Sequence, residues 1–119
     1  MSNIIIAGAG GIGQATALIL AEYNSDNYTI YIGDRYAAAS VKAVNFVKNG
    51  CTRSIEIIGF TLPESGSDAQ FDDILAKGDI ILDCLPGSQA PRLAQMAKDN
   101  NMHYANLTEY VNETNQVID

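Results

Sequence analysis

Gly8-Ala9-Gly10-Gly11-Ile12-Gly13 has the spacing G-x-G-x-x-G, and Asp34 stands 21 positions after its last glycine. Glycines spaced in this way let a backbone close around an anion. Gly8 permits a sharp turn, Gly10 leaves room for a diphosphate to approach the main chain, and Gly13 lets a helix pack closely on the preceding strand. Amide hydrogens at the start of such a helix, with the positive end of its dipole, hold negative charge without a lysine. Asp34 can accept hydrogen bonds from both hydroxyls of an adenosine ribose, which favours NAD, because a 2′-phosphate would be repelled. Arg35 keeps NADP open, since an arginine there can stack on adenine or pair with that phosphate. The pattern alone is weak in a chain with ten glycines. It carries weight only where a strand precedes it and a helix follows.

The surrounding sequence supplies both. Asn3 to Ala7 is an aliphatic run ending in glycine, the signature of a strand buried on both faces. A helix is expected from Gly11 to about Tyr23, with Ile12, Ala15, Thr16, Ile19 and Tyr23 as its sheet-facing stripe. Leu18 falls about 240° round that helix from Ile12. It is read as exposed, where a further domain or the second subunit of a homodimer could pack. After the turn cluster Asn24 to Asn27, Tyr28 to Ile32 reads as a second strand. Ala37 to Lys48 reads as a second helix, closed by Asn49-Gly50 as a left-handed cap.

Ser54 to Ile58 is the expected third strand, followed by a loop from Gly59 to Ser67. Asp68 to Lys77 reads as a short helix and Asp79 to Cys84 as an apolar fourth strand. Ser88 is a plausible cap for a helix running to about Lys98, with Pro91 in its first turn. Met102 to Ala105 is the fifth strand. Strand–helix alternation with short loops implies a doubly wound parallel sheet, the Rossmann fold, in the order 3-2-1-4-5 with helices on both faces.

In such a sheet ligands lie beyond the carboxyl ends of the strands. The turn Leu85-Pro86-Gly87 is therefore expected beside the nicotinamide ribose, through backbone contacts. Cys84 lies at the same edge, but a thiol without a paired histidine is a poor nucleophile. His103, the single histidine, falls at the far end of the fifth strand and reads as structural. Asp68, Asp72 and Asp73 gather at a helix start, where carboxylates favour the dipole, and no metal site is expected. Thr108 and Glu109 follow the fifth strand on the ligand side.

The chain has 119 residues, 47% of them apolar and 18% charged, enough for one packed domain. Its net charge of −7 argues against an extended basic surface, so neither nucleic acid nor a membrane is an expected partner. Two cysteines, no signal peptide and no long apolar run suggest a reduced, cytoplasmic protein.

Three stretches resemble the N-terminal domain of the saccharopine dehydrogenase family. They are Ile5 to Gly13, Asp79 to Pro86, and His103-Tyr104-Ala105-Asn106-Leu107-Thr108-Glu109, which is similar to the family's H-Y-x-D-L-T-[EG] segment. Asn106 stands where the family usually has aspartate. The resemblance implies an NAD(P)-linked oxidoreductase acting on a carbon–nitrogen bond of an amino-acid-derived substrate, as in lysine metabolism. It also implies that residues 1–119 are the cofactor half of a longer two-domain enzyme. Substrate-binding groups would then lie beyond residue 119, so no catalytic residue is assigned. Two other readings remain open. One is a stand-alone nucleotide-sensing domain of the kind attached to potassium channels and transporters. The other is a fragment of a sugar-nucleotide epimerase or short-chain reductase, which the lack of a Tyr-x-x-x-Lys pair disfavours.

Overall fold

Strands and helices alternate along the chain of the computed structural model, which describes residues 3–23, 28–85 and 89–107. The elements are β1 (Asn3–Ala7), α1 (Gly11–Glu22), β2 (Thr29–Asp34), α2 (Ala37–Gly50), β3 (Glu56–Thr61), α3 (Ala69–Lys77), β4 (Ile80–Asp83), α4 (Ala90–Asp99) and β5 (His103–Asn106). All strand pairs are parallel and the sheet order is β3-β2-β1-β4-β5. The chain therefore winds outward from β1 in one direction, then returns past it and winds in the other. The expected doubly wound Rossmann architecture is present.

The central strands β1 and β2 are buried on both faces because helices cover both sides of the sheet. Ile4 and Ile6 of β1 meet Ala17 and Ala21 of α1 and Ala43 and Val47 of α2. Ile5 and Ala7 point the other way, towards Phe71, Ile74 and Leu75 of α3 and Leu93 and Ala97 of α4. Phe60 and Phe71 stack within this second layer, ring centroids 5.7 Å apart.

Three sequence expectations are corrected. On α1 the residues against the sheet are Gly13, Ala17 and Ala21. Ile12, Ile19 and Tyr23 are 54%, 59% and 79% exposed, and Leu18 packs inward, where a Cβ on Gly50 would lie 3.1 Å from its Cδ1. Close packing selected small residues for the sheet side, left Ile12, Ile19 and Tyr23 outside, and placed Leu18 and Leu20 at the margin of the core. Strand β3 begins and ends later than its β-branched residues suggest, because Gly59 is a strand residue paired with Ile32. Helix α2 runs through Gly50 and turns into extended backbone at Cys51, without a left-handed cap. The left-handed non-glycine residue among those described is Asn101, after α4. The expected turn at Asn24–Asn27 and the cap at Ser88 lie outside the described residues.

Candidate dinucleotide site

The carboxyl ends of β1, β2, β3 and β4 share one rim, and the candidate site is built there. At the end of β1, Gly8 turns with φ of 109°, a left-handed conformation that favours glycine. Its N–H donates to the Gly33 carbonyl at 2.7 Å. A Cβ on Gly8 would lie 2.8 Å from the carbonyl carbon and oxygen of Cys84, so β4 passes close behind this turn. Gly13 is tighter still, because its Cβ would fall 1.9 Å from the Gly8 oxygen. These two glycines bring the start of α1 directly onto the end of β1.

Gly10 behaves differently. It is the N-cap of α1 in extended conformation, and a Cβ built there meets nothing within 4 Å; the same holds for Gly11. No side chain caps α1 and no acidic residue occupies its first turn. By contrast, α3 is capped by Asp68, whose Oδ1 accepts from the Phe71 amide at 2.8 Å. The first amides of a helix have no partner within it, so the start of α1 offers them to open space with the positive end of the dipole behind. The Gln14 side chain folds back, donating from Nε2 to the Ala9 carbonyl at 2.9 Å, and so braces the loop from below.

Asp34 ends β2. Its Oδ2 accepts from the Ala9 amide at 3.0 Å and its Oδ1 from the Tyr36 amide at 3.1 Å. The carboxylate thus ties the glycine loop to the β2–α2 turn, and each oxygen keeps acceptor capacity for a hydroxyl. Arg35 follows, with its guanidinium 4.8 Å from the Tyr36 ring centroid and its Nη1 3.6 Å from Oε1 of Glu64.

Beside these residues lies a cleft of about 620 Å³, within the range of small-molecule sites. Ala9 and Gly10 form one wall, Asp34 to Tyr36 with Ala39 another, and Leu62 to Glu64 a third; Leu85, Gln89 and Arg92 close it. Residues 62–64 and 89–92 were not singled out by sequence. A third strand ending at Ile58 leaves residues 62–64 in the middle of a loop, whereas in the structure they leave the carboxyl end of β3 directly. Arg92 holds this loop: its Nη2 donates to the carbonyls of Pro63 at 2.9 Å and Gly66 at 2.7 Å, and its Nη1 to Oε1 of Gln89 at 3.0 Å.

Leu85 continues from β4 and faces the cleft. Its amide donates to Oδ1 of Asp83 at 3.0 Å, and the other carboxylate oxygen accepts from the Tyr104 hydroxyl at 2.6 Å. Asp83 is fully buried. Burial raises its pKa above the ordinary carboxylate range, while the bonds from Tyr104 and Leu85 oppose the rise. Burial, then the bond to Asp83, pushes the Tyr104 phenol up. Cys84 is half-buried, and burial pushes its thiol up to about 11. A thiol so high is almost wholly protonated at neutral pH, consistent with a packing role. His103 is exposed at the opposite end of the sheet, paired with Ile80. Pro86, Gly87, Thr108 and Glu109 lie outside the described residues.

Fold and site define a dinucleotide-binding type of domain: an open parallel sheet with a glycine turn, a bare helix start and an acidic residue around one cleft. The pattern of one family, described as the saccharopine dehydrogenase NADP binding domain, matches residues 4–118. The chain belongs to this family. No curated protein matches it in sequence. Among solved structures it is similar to apo saccharopine dehydrogenase (L-Glu forming) from Saccharomyces cerevisiae, with a TM-score of 0.68 and 15% identity, over 98% of this chain and 24% of that one. It is also similar to shikimate dehydrogenase of Mycobacterium tuberculosis (TM-score 0.64, 13% identity, 88% and 45% covered). A third similar structure is a UDP-N-acetylglucosamine 3-dehydrogenase from Acidithiobacillus ferrooxidans (0.61, 16%, 98% and 34%). The chain spans less than half of each of these proteins. No helix among the described residues is long and apolar enough to cross a membrane.

Proposed function

We propose that this chain holds a nicotinamide dinucleotide for a dehydrogenase acting on a carbon–nitrogen bond of an amino-acid-derived substrate. The observation that carries the reading is the empty space at Gly10, in front of uncapped helix amides and beside Asp34. In this reading the amides of Gly10 to Gly13 face the diphosphate and Asp34 accepts from the adenosine ribose. Leu62, Gln89 and Arg92 border the adenine. Leu85, with Pro86 and Gly87 after it in the sequence, is assigned to the nicotinamide ribose. Asp83, held by Tyr104, fixes the Leu85 amide where the chain leaves β4.

A nicotinamide group bound there supplies hydride transfer. The chain's own contribution is to hold, orient and partly desolvate. The family description names NADP. Asp34, and an Arg35 already facing Glu64, favour NAD in this chain. The carbon–nitrogen specificity rests on family membership, and the groups that recognise the substrate are assigned to a second domain, consistent with the 24% of the yeast enzyme that is matched.

Titration calorimetry with NAD+, NADP+ and ADP-ribose tests the reading. Binding of ADP-ribose and of at least one dinucleotide is expected, and absence of heat at millimolar ligand would overturn it. The 119-residue chain alone is expected to oxidise neither lysine nor saccharopine. Turnover of either would place the substrate groups within these residues.

A further inference from the structure

We infer that Glu64 sets the preference of this site at the adenosine 2′ position by occupying the guanidinium of Arg35; the inference rests on the reading of the cleft as the adenosine pocket. Arg35 leaves β2 immediately after Asp34, and its guanidinium lies over the Tyr36 ring, with centroid 4.8 Å away, and 3.6 Å from Glu64. A planar fork so placed is the natural partner for a phosphate on the ribose that Asp34 faces.

Glu64 is placed by a loop held at both ends. The Leu62 amide donates to the Asp34 carbonyl at 2.8 Å, and Arg92 holds the carbonyls of Pro63 and Gly66. Glu64 therefore faces Arg35 across the rim from a fixed backbone. Arg92, the other guanidinium lining the cleft, has both terminal nitrogens on loop carbonyls and Gln89, and only its buried Nε lacks a partner. It offers no open fork. A 2′-phosphate must draw Arg35 away from Glu64 and lie beside Asp34. A 2′-hydroxyl asks nothing of Arg35, so the pair acts against the phosphorylated form alone.

The size of the effect follows from exposure. The two side chains are 56% and 80% exposed. Exposed pairs of this kind change an equilibrium by up to about fivefold. Removing the carboxylate also removes its repulsion of the phosphate, so about two- to tenfold is expected in total.

The test is calorimetric titration of the wild type, E64Q, R35A and the double variant R35A/E64Q with NAD+ and NADP+ at low salt. The readout is the ratio of the two affinities. E64Q should shift that ratio about two- to tenfold towards NADP+. The same substitution in the R35A background should shift it less than about twofold, because only the direct repulsion between Glu64 and the phosphate is then removed. An unshifted ratio in E64Q, or an equal shift with and without Arg35, overturns the inference and leaves the cleft assignment standing. Failure of all four proteins to bind either dinucleotide overturns both. Thermal melting checks folding, which an exposed rim residue should not disturb.

Discussion

Two glycines only three positions apart should fail in opposite ways when a methyl group is added. At Gly13 the new Cβ would sit 1.9 Å from the Gly8 oxygen, where an ordinary carbon–oxygen contact is roughly 3.3 Å. Helix and strand must therefore part by roughly 1.4 Å, and since the obstacle is backbone, no side chain can yield. The movement would lift Ala17 and Ala21 off Ile4 and Ile6. Overpacking costs about 1–3 kcal/mol, and a backbone clash belongs at the upper end. At about 4 °C per kcal/mol for a domain of this size, Gly13→Ala should lower Tm by about 12 °C.

Gly10→Ala meets nothing within 4 Å, at φ −78° and ψ −163°, which alanine adopts without strain. A slightly poorer N-cap is offset by lower entropy in the unfolded chain, so Tm should change by less than about 2 °C. The methyl group nevertheless stands in the open space before the α1 amides, where the proposed function puts the diphosphate. NAD+ affinity should fall at least about tenfold, equivalent to about 1.4 kcal/mol. Differential scanning calorimetry and NAD+ titration on the same samples separate the two effects. Wild-type affinity in Gly10→Ala would show that no diphosphate lies at this helix start. A wild-type Tm in Gly13→Ala would show that α1 does not contact β1 as described.

Three further outcomes are expected. Asp34→Ala removes the proposed ribose acceptor and releases the Ala9 amide, so NAD+ affinity should fall about ten- to a hundredfold by titration; a smaller loss would detach Asp34 from ribose binding. Tyr104→Phe leaves one oxygen of a fully buried carboxylate without its 2.6 Å donor. Urea unfolding at neutral pH should show a loss of about 1.5–3 kcal/mol. Asp83 has a folded pKa raised above its unfolded value, chiefly by burial. The fold therefore binds this proton more tightly than the unfolded chain does, and the resulting stabilisation is full below about pH 4 and is lost as pH rises through the folded value. Wild type minus Asp83→Asn stability should accordingly decline above about pH 4 in urea titrations run at several pH values, and a rising difference would contradict the assignment.

The order of elements and the sheet topology were legible because alternation of apolar strands with helices and right-handed connection leave few arrangements open. Strand ends were harder to read, for a reason visible at two glycines. Gly33 and Gly59 read locally as breakers, yet both lie inside strands. A Cβ on Gly33 would lie 2.3 Å from the Phe60 ring, and one on Gly59 3.2 Å from Val44. Their absence of side chain answers to partners 27 and 15 positions away, which no local pattern encodes. Ending β3 too early concealed Leu62, Pro63 and Glu64 as a wall of the cleft. Gln89 and Arg92 were concealed differently: their place follows from a crossover that returns α4 towards the β3 loop. Gly8, Gly10, Gly13 and Asp34 were legible because a motif of fixed spacing encodes its own geometry.

The misread face of α1 joins the fold to the proposed function. Hydrophobicity ranks isoleucine and tyrosine above glycine and alanine, so periodicity selects Ile12, Ile19 and Tyr23 for the core. The sheet instead takes Gly13, Ala17 and Ala21, one residue per turn, each small. A helix seated on leucines would stand further from the sheet. Its amides would then rise away from the end of β1, and the Ala9 amide and Asp34 could not be bridged at 3.0 Å. The small residues lower the apolar area that α1 buries, and they bring its positive end down to the strand carboxyl ends, where the cleft opens. Close seating of this helix is thus the common requirement of the glycine turn, the aspartate bond and the bare amides. Enlarging Ala17 or Ala21 should weaken dinucleotide binding although neither residue lines the cleft.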